Sequence, residues 1–233
     1  MAGKGKYYES QFEEATIELL RESHWQYTFG DDIHRKYTDP LIEEDLRTFL
    51  AAQYKDKKLT ASEMDGIVAN LRNTGGQNDY YAQQNTFLLY RDGYDFTYSD
   101  GRDNPFRLQY IDFEHPDHNI FRCVNQFVME QGRENRRPDI LLFVNGIPVC
   151  IVELKNPTKQ NATIRDAHTQ ICTRYMRDIP ALLKYCALAV ISDGAKNELG
   201  TTYTPFEFFY EWKKIDNEDK AGKGLDTLRT LVR

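Results

Sequence analysis

At 233 residues, with 40% hydrophobic and 13% aromatic side chains, the chain is long enough for one large domain or two small ones and should bury a real core. A formal net charge of −6 argues against a free-standing, sequence-independent nucleic-acid binder, because Lys and Arg neutralising phosphates supply most nonspecific affinity. No signal peptide and no apolar stretch long enough to span a membrane is present, so a cytoplasmic location is expected.

In chain order, Ser10-Gln11-Phe12-Glu13 reads as a capping box opening a first helix, with Phe12, Ala15, Leu19 and Leu20 as its apolar stripe. Asp39-Pro40 fits the N-cap and N1 roles of a second helix. Thr60-Ala61-Ser62-Glu63 caps a third, whose stripe is Met64, Ile67, Val68 and Leu71, and Asn73-Thr74-Gly75-Gly76 stops it. From Asn85 the pattern predicts strands: Phe87-Leu88-Leu89-Tyr90, Phe106 to Ile111 and Phe121 to Val124. Two nearly continuous apolar runs follow, Ile140 to Val144 and Ile147 to Val152, separated by Asn145-Gly146, a strong hairpin signal. Asn156-Pro157-Thr158 ends the second run before a helix with Ile164, Ala167, Ile171 and Tyr175 facing inward. Ala187 to Ile191 reads as a further strand, and Phe206, Phe208, Tyr210 and Trp212 alternate as an edge or docking strand. The charged, weakly patterned segment 216–233 reads as a linker or the start of another domain.

The chemistry concentrates at the ends of the hairpin. Arg136-Arg137-Pro138-Asp139 precedes its first strand, and Glu153-Leu154-Lys155 closes its second, the two carboxylates standing 14 positions apart. Two carboxylates can hold Mg2+ through oxygen ligands. The metal can polarise a phosphate and lower the pKa of an attacking water, and an ammonium can orient that water or offset transition-state charge. A glutamate and a lysine closing so apolar a strand are costly to desolvate unless each finds a partner. The pattern is that of a metal-dependent phosphodiesterase, with Arg133, Arg136, Arg137, Lys155, Lys159 and Arg165 around it for phosphates.

Side-chain parity tests this reading. Residues two apart share a face of a strand, and a plain two-residue Asn145-Gly146 loop would pair Asp139 with Val152, turning the aspartate away from Glu153. A shared metal therefore requires a three-residue loop, Val144-Asn145-Gly146, pairing Asp139 with Ile151, or an equivalent bulge.

The run from Phe121 to Pro157, FRCVNQFVMEQGRENRRPDILLFVNGIPVCIVELKNP, with the later Ile179-Pro180 and Ile191-Ser192-Asp193-Gly194, resembles the N-terminal nuclease domain of the R (motor) subunit of type I restriction endonucleases, within the PD-(D/E)xK superfamily. The resemblance implies an α/β fold with a restriction-endonuclease-like core: a mixed sheet flanked by helices, with an N-terminal helical segment. It implies Asp139, Glu153 and Lys155 as the catalytic triad of a Mg2+-dependent double-strand DNA endonuclease, Asp139 and Glu153 being the metal ligands. It also implies methyltransferase and specificity subunits as partners and cleavage after ATP-driven translocation. The chain contains no Gly-x-x-x-x-Gly-Lys-Ser/Thr loop, so ATP would bind motor domains outside it. Residues 1–215 are then the endonuclease domain. The alternatives are a stand-alone repair or junction nuclease of the same superfamily, and a noncatalytic docking module whose carboxylates face apart.

The same resemblance, to nucleases of the RecB type, implies a Gln-x-x-x-Tyr helix after the lysine. Here Gln170 and Tyr175 have four residues between them, and five steps along a regular helix do not return to one face. Either the helix is distorted and Gln170 assists catalysis, or Tyr175 is a core aromatic with a polar tip. Glu13 is the position resembling a first-helix acid of the superfamily that approaches the metal; the alternative is a glutamate closing its own helix cap. Arg136, Arg137 and Tyr175 are candidates for DNA contact. The cysteines Cys123, Cys150, Cys172 and Cys186 read as small buried hydrophobes, and His115-Pro116-Asp117-His118 reads as a turn in preference to a metal loop.

Overall fold

The computed structural model describes residues 3–155, 163–215, 218–221 and 225–231. Its helices are α1 (Gly3–Glu22), α2 (Glu43–Gln53), α3 (Ala61–Asn73), α4 (Asp79–Asp92), α5 (Ile164–Thr169), α6 (Met176–Asp178), α7 (Pro180–Leu183) and α8 (Leu225–Leu231). The strands are β1 (Gln26–Phe29), β2 (Tyr94–Phe96), β3 (Phe106–Leu108), β4 (Phe121–Asn125), β5 (Met129–Gln131), β6 (Glu134–Arg136), β7 (Ile140–Val144), β8 (Ile147–Leu154), β9 (Leu188–Ser192), β10 (Asn197–Gly200), β11 (Tyr210–Glu211), β12 (Lys214–Ile215) and β13 (Glu218–Ala221). One seven-stranded mixed sheet, in the order β1-β4-β7-β8-β9-β10-β11, organises the chain. Within it β1 runs parallel to β4 and β8 parallel to β9, while the other neighbours are antiparallel. The α/β class with flanking helices and an N-terminal helix is as expected.

Apolar side chains alternating along β7 and β8 divide the core. Leu141, Phe143 and Ile151 face Ala167, Ile171, Tyr175 and Leu182 of the α5–α7 layer. Ile140, Leu142, Cys150 and Val152 face Ile17 and Leu20 of α1 together with Leu228 of α8. The segment read as a linker thus includes a helix whose Leu228 is fully buried. A third cluster joins Leu46 and Phe49 of α2, Ile67 and Leu71 of α3 and Tyr90 of α4 to Val144 and Ile147 at the turn end of the hairpin.

Several elements depart from expectation. Ser10 lies inside α1, so no capping box forms there. The second helix begins at Glu43 with Ile42 at its N-cap, and Asp39 instead accepts from the Leu41 N–H at 3.1 Å and pairs with Arg72. Phe87 to Tyr90 belong to α4 and form no strand: Asn78 Oδ1 accepts from Tyr81 N–H at 3.1 Å, and the buried positions Gln83, Thr86 and Tyr90 follow helical spacing. The polar Gln83 and Thr86 on that inward face hide the period from an apolar count. Gln83 is satisfied by Leu183 O and Thr202 Oγ1, each at 2.8 Å. Only Phe106–Leu108 of the run to Ile111 is strand, paired with β2. Phe206–Phe208 form a short 3-10 turn, and Tyr210–Glu211 alone take the edge of the sheet. The third helix does carry its capping box: Glu63 N–H donates to Thr60 Oγ1 at 3.2 Å and Thr60 N–H to Glu63 Oε2 at 2.8 Å. Asn156-Pro157-Thr158 falls outside the described residues.

Candidate active site

The hairpin supplies the first two carboxylates. Asn145 and Gly146 have φ of +52° and +75°, the left-handed pair that a two-residue type I′ turn requires, and Val144 pairs with Ile147 across them. The three-residue loop is therefore replaced by a tight turn, and the compensating irregularity lies inside β8. Phe143 pairs with Pro148 but Leu142 with Cys150, leaving Val149 as the extra residue. The bulge also accommodates Pro148, which cannot donate to a ladder. Beyond it Ile140 pairs with Val152, and continuing that register sets Asp139 opposite Glu153, on one face of the sheet. The requirement for an odd offset is met by the bulge and the chemistry of the turn stays that of Asn-Gly.

Asp139 Oδ2 accepts from Leu154 N–H at 2.8 Å, and Asp139 O from Gln126 N–H at 3.2 Å. Glu153 is 1% exposed. Burial, then the neighbouring Asp139 carboxylate, push its carboxyl well above the usual range, against the opposing pull of the Lys155 ammonium. The carboxylates face one another, contrary to the signature of a docking module.

Helix distortion completes the site. The inward helix begins at Ile164 with Thr163 at its N-cap, whose N–H donates to Asp166 Oδ2 at 2.7 Å, but from Gln170 to Tyr175 it widens into a π turn before returning to α geometry at Met176. An i→i+5 turn puts residues five apart on one face, which resolves the spacing of the Gln-Tyr pair. Lys155 Nζ donates to Glu153 Oε1 at 2.8 Å and to Gln170 Oε1 at 2.9 Å. Gln170 Nε2 donates to Tyr175 Oη at 2.7 Å, and Tyr175 Oη donates to Glu153 Oε2 at 3.4 Å. The four side chains close a ring of four hydrogen bonds. Tyr175, only 3% exposed, is raised in pKa chiefly by burial. It is both the core aromatic and a member of the polar ring, and its burial removes it from the candidate DNA-contact surface.

The other candidates lie around this ring. Arg136 is engaged by Asp178 Oδ2 at 2.6 Å and Glu134 Oε2 at 2.6 Å, tying the approach to Asp139 to the end of the distorted helix. Arg177 binds the other oxygen of Asp178 at 2.6 Å. Arg137 is exposed beside it. Glu13 lies mid-helix, far from any cap, and its carboxylate accepts from Asn125 Nδ2 at 2.7 Å and Gln126 Nε2 at 3.0 Å. It forms no group with Asp139 and Glu153 within 4.8 Å. Sequence reasoning missed Asn125 and Gln126. Gln126 has φ of +55°, an uncommon conformation for a residue with a Cβ, but the sequence carried no signal of it. Cys123, Cys150 and Cys186 are buried and Cys172 half-buried, with burial pushing the Cys150 thiol up to about 12.

The description "Type I restriction enzyme R protein N terminus" names a family whose model matches residues 6–208. The chain is 29% identical, over 96% of its length, to the type I restriction enzyme HindI endonuclease subunit of Haemophilus influenzae, of which it covers 22%. It is 39% identical, over 48% of its length, to a putative type I restriction enzyme MjaIXP endonuclease subunit of Methanocaldococcus jannaschii, covering 11% of that protein. To the EcoprrI endonuclease subunit of Escherichia coli it is 32% identical over 53% of its length, covering 40% of that subunit. The chain thus spans less than half of each of these relatives.

Proposed function

The chain belongs to the family of the type I restriction enzyme R protein N terminus, and from that membership and the site geometry we propose that it is the Mg2+-dependent DNA endonuclease domain of such a subunit. Double-stranded DNA is the substrate, and ATP drives translocation by motor domains outside this chain. Methyltransferase and specificity subunits mark and select the site. The observation that carries this reading is the closed ring of Lys155, Glu153, Gln170 and Tyr175 beside Asp139. A stability-driven core would not bury a glutamate next to a second carboxylate at the end of a strand.

The donor set fits a hard divalent cation. Asp139 and Glu153 offer only oxygen, as Mg2+ prefers, and a buried carboxyl held above its usual range beside a second carboxylate is relieved by a positive ion between them. When bound, the ion lowers the pKa of water and offsets phosphate charge. Glu153 and Asp139 would hold it. Lys155, pinned between two acceptors, orients the attacking water and stabilises charge developing on the phosphate. Gln170 fixes the lysine and helps place the phosphate, and Tyr175 keeps Glu153 Oε2 oriented. Glu13 acts at one remove through Gln126, whose N–H holds the Asp139 carbonyl. Arg137 meets the DNA backbone.

The test uses the full-length subunit carrying this domain, assembled with its partner subunits, ATP and target DNA. Asp139→Ala and Lys155→Ala abolish cleavage while ATP hydrolysis persists. Cleavage by Lys155→Ala at the wild-type rate would refute the assignment.

A further inference from the structure

Across the sheet from the carboxylates, at the turn end of the hairpin, a second set of ligating side chains gathers. The connection before β4 contains Asp112, His115 and His118, a ligand every third residue. A short 3-10 turn, Pro116–His118, brings both imidazoles over the aspartate. His118 Nδ1 lies 3.0 Å from Asp112 Oδ2 and His115 Nδ1 3.8 Å from Asp112 Oδ1. The two rings stack with centroids 5.0 Å apart. One ligand atom from each of the three lies within 4.8 Å of the others, and no other His, Cys, Asp or Glu trio among the described residues does so.

The surroundings fix the aspartate, while the exposed His118 ring is held to it by a single hydrogen bond. Asp112 is 5% exposed; its Oδ1 accepts from Glu114 and His115 N–H at 3.0 and 2.9 Å, and its Oδ2 from Gln53 Nε2 at 3.0 Å. Asn119 latches the connection, accepting from Asp112 N–H at 2.9 Å and donating to Asp112 O at 2.7 Å. The buried Asn145 in turn donates to Asn119 Oδ1 at 2.8 Å. The His115 and His118 side chains are 65% and 57% exposed. Ligand atoms on one tetrahedral ion, with bonds of about 2.0–2.2 Å, stand roughly 3.3–3.5 Å apart. The present spacing brackets that value, and two surface rings can rotate to meet it.

We infer that Asp112, His115 and His118 bind a borderline divalent transition-metal ion of the zinc class, with remaining positions open to water, at a site separate from the Mg2+ carboxylates. Two imidazoles and one carboxylate select such an ion over Mg2+, and the hydrogen bonds behind Asp112 supply the outer-shell support such sites use. The five-residue strand β4 separates the two sites, about 17 Å at a strand rise near 3.4 Å per residue. A bound ion would cross-link the connection over residues 112–118 and stabilise the fold.

Co2+ serves as the probe, added to the metal-stripped chain and read by visible d–d absorption, with Zn2+ as competitor and melting temperature as a second readout. One equivalent of Co2+ gives d–d bands without a thiolate charge-transfer band, Zn2+ displaces it and raises Tm. His115→Ala and His118→Ala each weaken binding by about tenfold or more, and both should fold because the rings are exposed. Asp139→Ala leaves this binding unchanged. Absence of bands and of Zn2+ stabilisation in the wild type, binding that survives both histidine substitutions, or loss of binding in Asp139→Ala would overturn the inference.

Discussion

Gln170 Nε2 lies 2.7 Å from Tyr175 Oη although five positions separate the two residues, because the helix between them is wound as a π turn. Such a turn acts as one residue inserted into an α-helix. Deleting the exposed Thr173 should therefore return the segment to α geometry, bring the pair to four-residue spacing, and keep both the flanking register and the hydrogen bond. Cleavage by the assembled enzyme is expected to stay within about threefold of wild type for this deletion, whereas Gln170→Ala falls roughly 10- to 100-fold, the range for lost supporting contacts at a metal site. Equal damage by both changes would show that the π turn itself is required.

Burial and Asp139 raise the Glu153 carboxyl well above its unfolded value, so the folded protein binds a proton more tightly than the unfolded chain. The stability this contributes is fully present below the unfolded value of about 4.3 and is lost as pH rises toward the raised folded one. In chelator, urea unfolding of the wild type should show stability declining from pH 5 upward through this group. Glu153→Gln should flatten that decline while abolishing cleavage. A decline of the same slope in both proteins would place its origin elsewhere.

Glu63 behaves in the opposite sense. Hydrogen bonds from Arg102 first, then from Thr60 N–H in the capping box, hold its carboxyl down at about 2. Its stabilisation is present above the unfolded carboxylate range and is lost as pH falls from about 4.3 towards 2. Glu63→Gln should lower Tm at pH 7 and by much less at pH 3, measured by circular dichroism.

Gly146 meets two demands at once. Its φ is +75°, and an added Cβ would stand 2.1 Å from Ile42 O, the N-cap carbonyl of α2. Gly146 O also accepts from Ile42 N–H at 2.9 Å. Gly146→Ala is expected to cost more than ~1 kcal/mol in denaturant unfolding, beyond the usual glycine-to-alanine strain. A loss below that would show that α2 can shift at little cost.

The juxtaposition of Asp139 and Glu153 was legible in the sequence because short-range parity constrains it: once the Asn145-Gly146 turn is recognised, only an odd offset lets Asp139 face Glu153. What stayed hidden was the device. A turn's residues are written locally, but the extra Val149 meets a non-local partner, the Ala187 N–H just before β9, at 2.8 Å from Val149 O. The capping box at Thr60 was readable for the same local reason. Ser10-Gln11-Phe12-Glu13 offered the same residue pattern and proved to be helix interior, since a capping pattern does not exclude helix on its N-terminal side. The α4 helix escaped because its inward face carries the polar Gln83 and Thr86: Gln83 finds its partners about a hundred positions away, and Thr86 bonds back to Ala82 O in its own helix. The misfit of Gln170 and Tyr175 was the one anomaly that pointed to its own resolution, a distorted helix.

Asp139 and Glu153, in the function proposed above, share one divalent ion. Titration calorimetry of the chain with Mn2+, free of other metals, tests it without partners or ATP. Saturable binding at millimolar metal or below is expected for the wild type, lost in Asp139→Ala and Glu153→Ala and retained in His118→Ala. Wild-type binding that persists undiminished in Asp139→Ala, or no binding by the wild type at any accessible concentration, would contradict the account.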